Sequence, residues 1–149
     1  MSLENRILDD YKRAMRERDE VRIRTLRLLR AAIKNARIEA RAELDDDAVQ
    51  RVIQSQIRRR RESIEGFQAA HRDDLVAREQ ADLAVLQEYL PEQLDEDAVR
   101  KLAAEVIAEL GAGSIKDLGA VMRALMPRVR GRADGSQVNA IVRRLLGDG

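Results

Sequence analysis

For ninety residues this chain runs with a single glycine, Gly66, and no proline; Pro91 then opens a stretch that holds Gly111, Gly113, Gly119, Pro127, Gly131, Gly135, Gly147 and Gly149. Glycine and proline are the residues that interrupt regular backbone. The first part is therefore free to form long helices, and the second must use short helices with tight connections. The change falls at Tyr89-Leu90-Pro91 and divides the chain into an N-terminal helical subdomain, residues 1–90, and a small C-terminal bundle, residues 91–149. Aromatic residues make up 2% of the chain, namely Tyr11, Phe67 and Tyr89, poor material for sheets, whereas the charged and aliphatic majority favours helices. The expected fold class is all-α, long helices followed by a three-helix bundle. With 149 residues and no cysteine, the chain is long enough to bury a core without metals or disulfides.

Apolar periodicity places the elements. Leu3, Ile7, Tyr11, Ala14 and Met15 recur at helical spacing, and Asp19 can cap a second helix with the stripe Val21, Thr25, Leu28, Ala32 and Ala36. Asp45, Asp46 and Asp47 suit the positive end of a third helix that carries Val49, Val52, Ile53, Ile57, Ile64 and Phe67. A fourth holds Leu75, Leu83, Leu86 and Leu90. After the cap Asp95, the residues Val99, Leu102, Ala103, Val106, Ile107 and Leu110 form an apolar stripe that ends at Gly111. Ser114 and Asp117 resemble a capping box ahead of Ile115, Leu118, Val121, Met122 and Leu125, with Pro127 expected to stop that helix. Asp134 and Gln137 open a last helix with Val138, Ile141, Val142, Leu145 and Leu146.

The inventory for bond-making chemistry is empty. There is no Cys, the one His is His71, and no nucleophile elbow, phosphate-binding loop or zinc-ligand spacing occurs. His71 sits in the charged run Ala-His-Arg-Asp-Asp and reads as an exposed turn residue. The three aspartates read as caps, since the segment lacks the oxygen-ligand loop a hard cation needs. No catalytic residue, cofactor or metal is assigned, and the chain leans away from being an enzyme. No apolar stretch approaches membrane-spanning length, and no positively charged start precedes an apolar run, so no membrane partner is expected and the default compartment is the cytoplasm.

Lys and Arg number 28 against 27 Asp and Glu, a net charge of +1, so any attraction for a polyanion must be local. Three rings are too few for the base-stacking platforms of many RNA-binding modules. At about 100 degrees per residue, Arg27, Arg30, Lys34, Arg37 and Arg41 fall within an arc of about 80 degrees on the second helix. They form a basic rail that either meets phosphates or pairs with acids of a neighbouring helix. Arg58 to Arg61 splay around their helix and read as structural, with Arg58–Glu62 and Arg61–Glu65 spaced for pairing. From Arg123 to Arg144 six basic residues face one acid, and between residues 92 and 117 seven acids face three bases. Arg128, Arg130 and Arg132 crowd a loop that leads to a helix N-terminus, an end that attracts phosphate.

Tyr89-Leu90-Pro91-Glu92-Gln93-Leu94, then Lys116-Asp117-Leu118-Gly119 with Val121-Met122, and Gly131-Arg132-Ala133-Asp134-Gly135 with Val138-Asn139 and Ile141-Val142 together resemble the YqeY family of GatB/YqeY domain proteins. Ala14-Met15, Thr25-Leu26-Arg27-Leu28-Leu29, Ala32-Ile33-Lys34-Asn35 and Arg60-Arg61-Glu62-Ser63-Ile64 extend the resemblance over nearly the whole chain. It implies an all-helical protein whose C-terminal bundle is similar to the tail domain of the B subunit of the tRNA-dependent amidotransferase. In that enzyme the tail helps hold tRNA, while the carboxylate is phosphorylated and amidated on other domains. A label of carbon-nitrogen ligase activity with glutamine as amido-N-donor would follow from the shared tail alone. The chain departs from the family at Ala120, commonly Lys, which removes one cation, and at His71, commonly Gly, which points to a changed turn. Two functions follow as expectations. One is a noncatalytic tRNA-binding or tRNA-enzyme accessory module in which Lys116, Arg123, Arg128, Arg130 and Arg132 contact phosphates, with Arg27, Arg30, Lys34, Arg37 and Arg41 extending the contact. The other is an interaction adaptor that docks on an amidotransferase or aminoacyl-tRNA synthetase subunit.

Overall fold

The computed structural model describes residues 1–147, which form seven α-helices, one 3₁₀ turn and no strand. The all-α expectation holds. The chain divides into two compact units, Met1–Leu90 and Pro91–Gly149, each with its own hydrophobic core. The first contains α1 (Leu3–Glu17), α2 (Glu20–Ala40), α3 (Asp46–Ala69) and α4 (Asp73–Gln87). The second contains α5 (Glu96–Leu110), the 3₁₀ turn Ile115–Asp117, α6 (Leu118–Val129) and α7 (Gly135–Leu145).

Caps decide where the helices begin. The side chains of Ser2, Asp19, Asp45 and Asp95 accept the backbone N–H of Asn5, Arg22, Ala48 and Ala98, which satisfies a donor that the first helical turn leaves unpaired. Asp46 serves a second helix start, since its Oδ1 accepts the Leu3 N–H at 2.9 Å. The ends of α1, α2 and α3 close in the same way. Arg18, Arg41 and His71 take the left-handed conformation, and the next N–H returns to a carbonyl five residues back, as Arg72 does to Phe67 at 2.9 Å. Glycine suits such a position best.

That geometry accounts for the departure at His71. Its φ is 55° and its side chain is exposed, so the histidine strains the turn without adding a contact. Replacing His71 by Gly is expected to raise stability by up to about 1 kcal/mol, since a left-handed L-residue costs about 1–2 kcal/mol and glycine's freer unfolded chain takes part of that back. Chemical denaturation of the two proteins checks it, and a lower midpoint for the glycine form would refute it.

In the first core α2 packs against α1, α3 and α4, and this sets which of its faces is inside. Leu26 and Leu29 are fully buried, Ile33 and Thr25 nearly so, whereas Leu28 is 46% exposed. Of the expected stripe Thr25 is buried and Val21 packs on the core, but Leu28 faces out, so the buried face is turned toward Leu26, Leu29 and Ile33 by somewhat less than the ~100 degrees of one residue. Three helices surround α2, so the larger set Leu26, Leu29 and Ile33 buries more apolar area than Leu28 with alanines could. Met15 and Leu110, expected inside, are 48% and 49% exposed.

The second core is built from Val99, Ala103, Val106, Val121, Leu125, Val129, Val138, Ile141 and Val142. Here Pro127 does not stop α6, which continues through it to Val129. Proline fits helical φ and forfeits the bond its N–H would give Arg123. The last turn is kept because Val129 is fully buried and the Arg130 N–H donates to the Met126 carbonyl at 2.8 Å. The capping box of Ser114 and Asp117 forms as expected, but it closes the 3₁₀ turn that leads into α6.

Candidate nucleic-acid interface

In the first unit the rail occupies the flank of α2 beside α1. Arg27, Arg30, Lys34 and Arg37 line one concavity of about 240 Å³ together with Ile33, Ala31 and Glu4 of α1. Their side chains are held to different degrees. Arg27 Nε donates to the Tyr11 hydroxyl at 3.4 Å, and the Arg30 guanidinium lies 5.1 Å from the centre of the same ring, within cation–π range. Arg37 is the member that meets acids. It donates to Glu4 at 2.7 Å and lies 3.7 Å from Glu43, so the rail is partly neutralised there by residues that no count along α2 alone includes. Lys34 is exposed and has no partner among the described residues. Arg41 lies past the helix as its left-handed cap.

In the second unit the five expected cations separate into two kinds. Lys116 on the 3₁₀ turn, Arg123 on α6 and Arg130 just after it are exposed and form no side-chain ion pair or hydrogen bond among the described residues. Arg128, on the last turn of α6, donates to Glu105 of α5 at 3.1 Å. Arg132 is half-buried, and its guanidinium donates to the backbone carbonyls of Glu92 at 3.2 Å and Arg128 at 3.4 Å. Its first duty is therefore to the loop. The Leu94 N–H donates to the Arg132 carbonyl at 2.8 Å, and Gln93 Nε2 donates to the carbonyls of Gly131 and Pro91, each at 2.8 Å. Pro91-Glu92-Gln93-Leu94 and Gly131-Arg132, distant in sequence, are thus two halves of one interlock. The helix end expected to attract phosphate already holds a carboxylate, since Asp134 caps α7 and accepts the Ser136 N–H at 3.2 Å.

Sequence reasoning missed the polar contacts that join the helices of the first unit, buried at Asp82 and exposed at Arg22–Glu88. Asp82 is 3% exposed and accepts from Arg24 at 2.6 Å and from the Thr25 hydroxyl at 3.0 Å. Arg60 pairs with Glu79 across α3 and α4 at 3.4 Å, outside the spacings that periodicity tests. Tyr89 donates to Asp10 Oδ2 at 2.6 Å, and burial, then that bond, raise its phenol above the usual range. Arg22 donates to both oxygens of Glu88 at 2.6 and 2.8 Å, which lowers the carboxyl. A buried acid among leucines, as at Asp82, is the one signal in the sequence that could have pointed here. Among the described residues no group of three or more His, Cys, Asp or Glu could hold a metal ion, and none of their helices is long and apolar enough to cross a membrane.

These features define a two-unit, all-helical protein whose unengaged arginines and lysines lie on helix flanks and loop ends. The chain belongs to the YqeY family: the sequence model of that family, described as Yqey-like protein, matches residues 4–146. It is similar to the Altered inheritance of mitochondria protein 41, mitochondrial, of the fungus Pyrenophora tritici-repentis, with 35% identity over 145 residues, which is 95% of this chain and 80% of that protein. Proteins of the same name from Eremothecium gossypii and Lachancea thermotolerans share 40% and 38% identity over 82 residues, 54% of this chain and less than half of each relative. The cytoplasmic expectation is overturned by these names, all of which say mitochondrial. It rested on the lack of a charged start before an apolar run and of a membrane-length apolar stretch, features that speak to secretion and membrane spans and do not distinguish one aqueous compartment from another.

Proposed function

We propose that this YqeY-family chain is a noncatalytic accessory module that holds transfer RNA through its phosphates, the role implied by its likeness to the amidotransferase tail. The observation that carries the reading is the set of cations without internal duty: Lys116, Arg123 and Arg130 in the second unit, and Lys34 on the α2 flank in the first. Charged side chains on a protein of net charge +1 usually settle into surface pairs, which are cheap to make and cheap to leave. Those that stay unpaired keep their full attraction for a polyanion. Arg128 can join them by exchanging Glu105 for phosphate, whereas Arg132 is better placed to hold the loop that presents Arg130.

Titration of transfer RNA at several salt concentrations tests this. Three to six phosphate contacts predict a slope of about −3 to −5 for log affinity against log salt. The double substitution Arg123→Gln and Arg130→Gln should lower the steepness by about 2 and weaken different transfer RNAs alike, with the helix content unchanged. A flat salt response, or wild-type affinity in the double variant, would sink the proposal. In that event, capture of an amidotransferase or synthetase subunit that survives nuclease treatment would point to the adaptor reading.

A further inference from the structure

We infer that the concavity on α2 takes a phosphomonoester dianion, the end group of an RNA chain or of a small phosphorylated molecule, in preference to the internal phosphodiesters of a backbone. The inference rests on the reading that α2 meets phosphate, and it names which kind.

The first ground is shape. Arg27, Arg30, Lys34 and Arg37 line a single hollow with Ile33 in its lining and Glu4 at its side; they are not spread as a flat row. At about 240 Å³ the hollow falls below the ~300–1,000 Å³ of pockets that enclose drug-sized ligands. A phosphate end group fits within it.

The second is preorganisation. Tyr11 of α1 holds Arg27 by a hydrogen bond and Arg30 by its ring face, and Glu4 holds Arg37. Three of the four cations are therefore already ordered by α1 before any ligand arrives, which removes part of the cost of binding. Lys34, exposed and without a partner among the described residues, keeps all its donors for the ligand.

The third is charge. Four cations against the carboxylates of Glu4 and Glu43, both of which meet Arg37, leave about two positive charges around the hollow. A phosphomonoester brings a charge of about −1.5 to −2 near neutral pH and three strong acceptor oxygens, which match guanidinium forks. A diester brings one charge and must overcome the same Glu4 repulsion for a smaller gain.

The test uses the full chain with two RNA oligomers of one sequence, one 5′-phosphorylated and one 5′-hydroxyl, and with a nucleoside monophosphate alone. Each is titrated into the wild type and into Lys34→Gln and Arg27→Gln. The wild type should favour the phosphorylated oligomer by about tenfold, the size of one additional charged hydrogen bond, and each substitution should reduce that preference. Preference between the oligomers assigns the site to RNA ends. Binding of the nucleoside monophosphate without such preference assigns it to a free monoester. Equal affinity for both oligomers together with no binding of the monophosphate would overturn the inference. A normal salt slope for transfer RNA in that case would leave the proposed function standing. Because Lys34 contacts nothing that the fold uses, its substitution should leave the unfolding midpoint where it was.

Discussion

Replacing Asp82 by alanine is expected to destabilise the first helical unit by about 3–5 kcal/mol, the cost of leaving one half of a buried ion pair without the other. Asp82 lies on α4 and is 3% exposed. Its Oδ1 accepts from both Arg24 and Thr25 of α2, so a single carboxylate oxygen joins two helices. Without it the Arg24 guanidinium, whose Nε is buried and has no acceptor, and the buried Thr25 hydroxyl would both lose their partner, and buried donors are expensive to leave unmade. A domain whose whole stability is about 5–15 kcal/mol would be near its limit. Urea unfolding checks the value. The interpretation has its own control: Asp82→Leu combined with Arg24→Met removes both charges and should recover most of the loss, as apolar replacement of buried pairs often does. If the single alanine form unfolds at the wild-type midpoint, or the double form fares no better than the single, the network is not what joins α2 to α4.

Leu125→Ala is expected to cost the second unit about 2–5 kcal/mol. Leu125 is fully buried in the middle of α6 among the valines and isoleucines contributed by α5 and α7. Beta-branched neighbours are stiff, so they cannot close readily around the missing volume, and the cost belongs in the upper part of that range. Amide hydrogen exchange is the suitable reading, because the two cores are separate and a single melting curve would mix them. Faster exchange should be confined to amides of α5, α6 and α7, with those of α2, α3 and α4 unaffected. Uniform acceleration along the whole chain would show that the two units unfold together.

The first effect arises where sequence reading and structure part company, whereas Leu125 lies in the core where its spacing puts it. The helices were legible because each is announced locally: Asp19, Asp45 and Asp95 stand where caps must stand, and Gly111 ends α5 in the left-handed conformation that glycine favours. The rotation of α2 was not legible, since Leu28 and Leu29 are equally apolar and only the helices packed around α2 decide which is covered. The helical run past Pro127 was hidden for the same reason: the burial of Val129 outweighs a breaker. Among the candidate contacts, Arg27, Arg30, Lys34 and Arg37 could be placed on one flank by counting along α2. That Glu4 engages Arg37 while Lys34 stays unengaged could not.

By itself the sequence determined the helical class, the ends of most helices and its family, because capping, turn chemistry and periodicity act between residues a few positions apart. Only the tertiary structure decided which faces are inside, which arginines are engaged by Glu4, Glu105 or backbone carbonyls, and that Gln93 and Leu94 hold the Gly131-Arg132 loop. Those outcomes depend on contacts between residues tens of positions apart, and the geometry that selects among them exists only once the helices have packed.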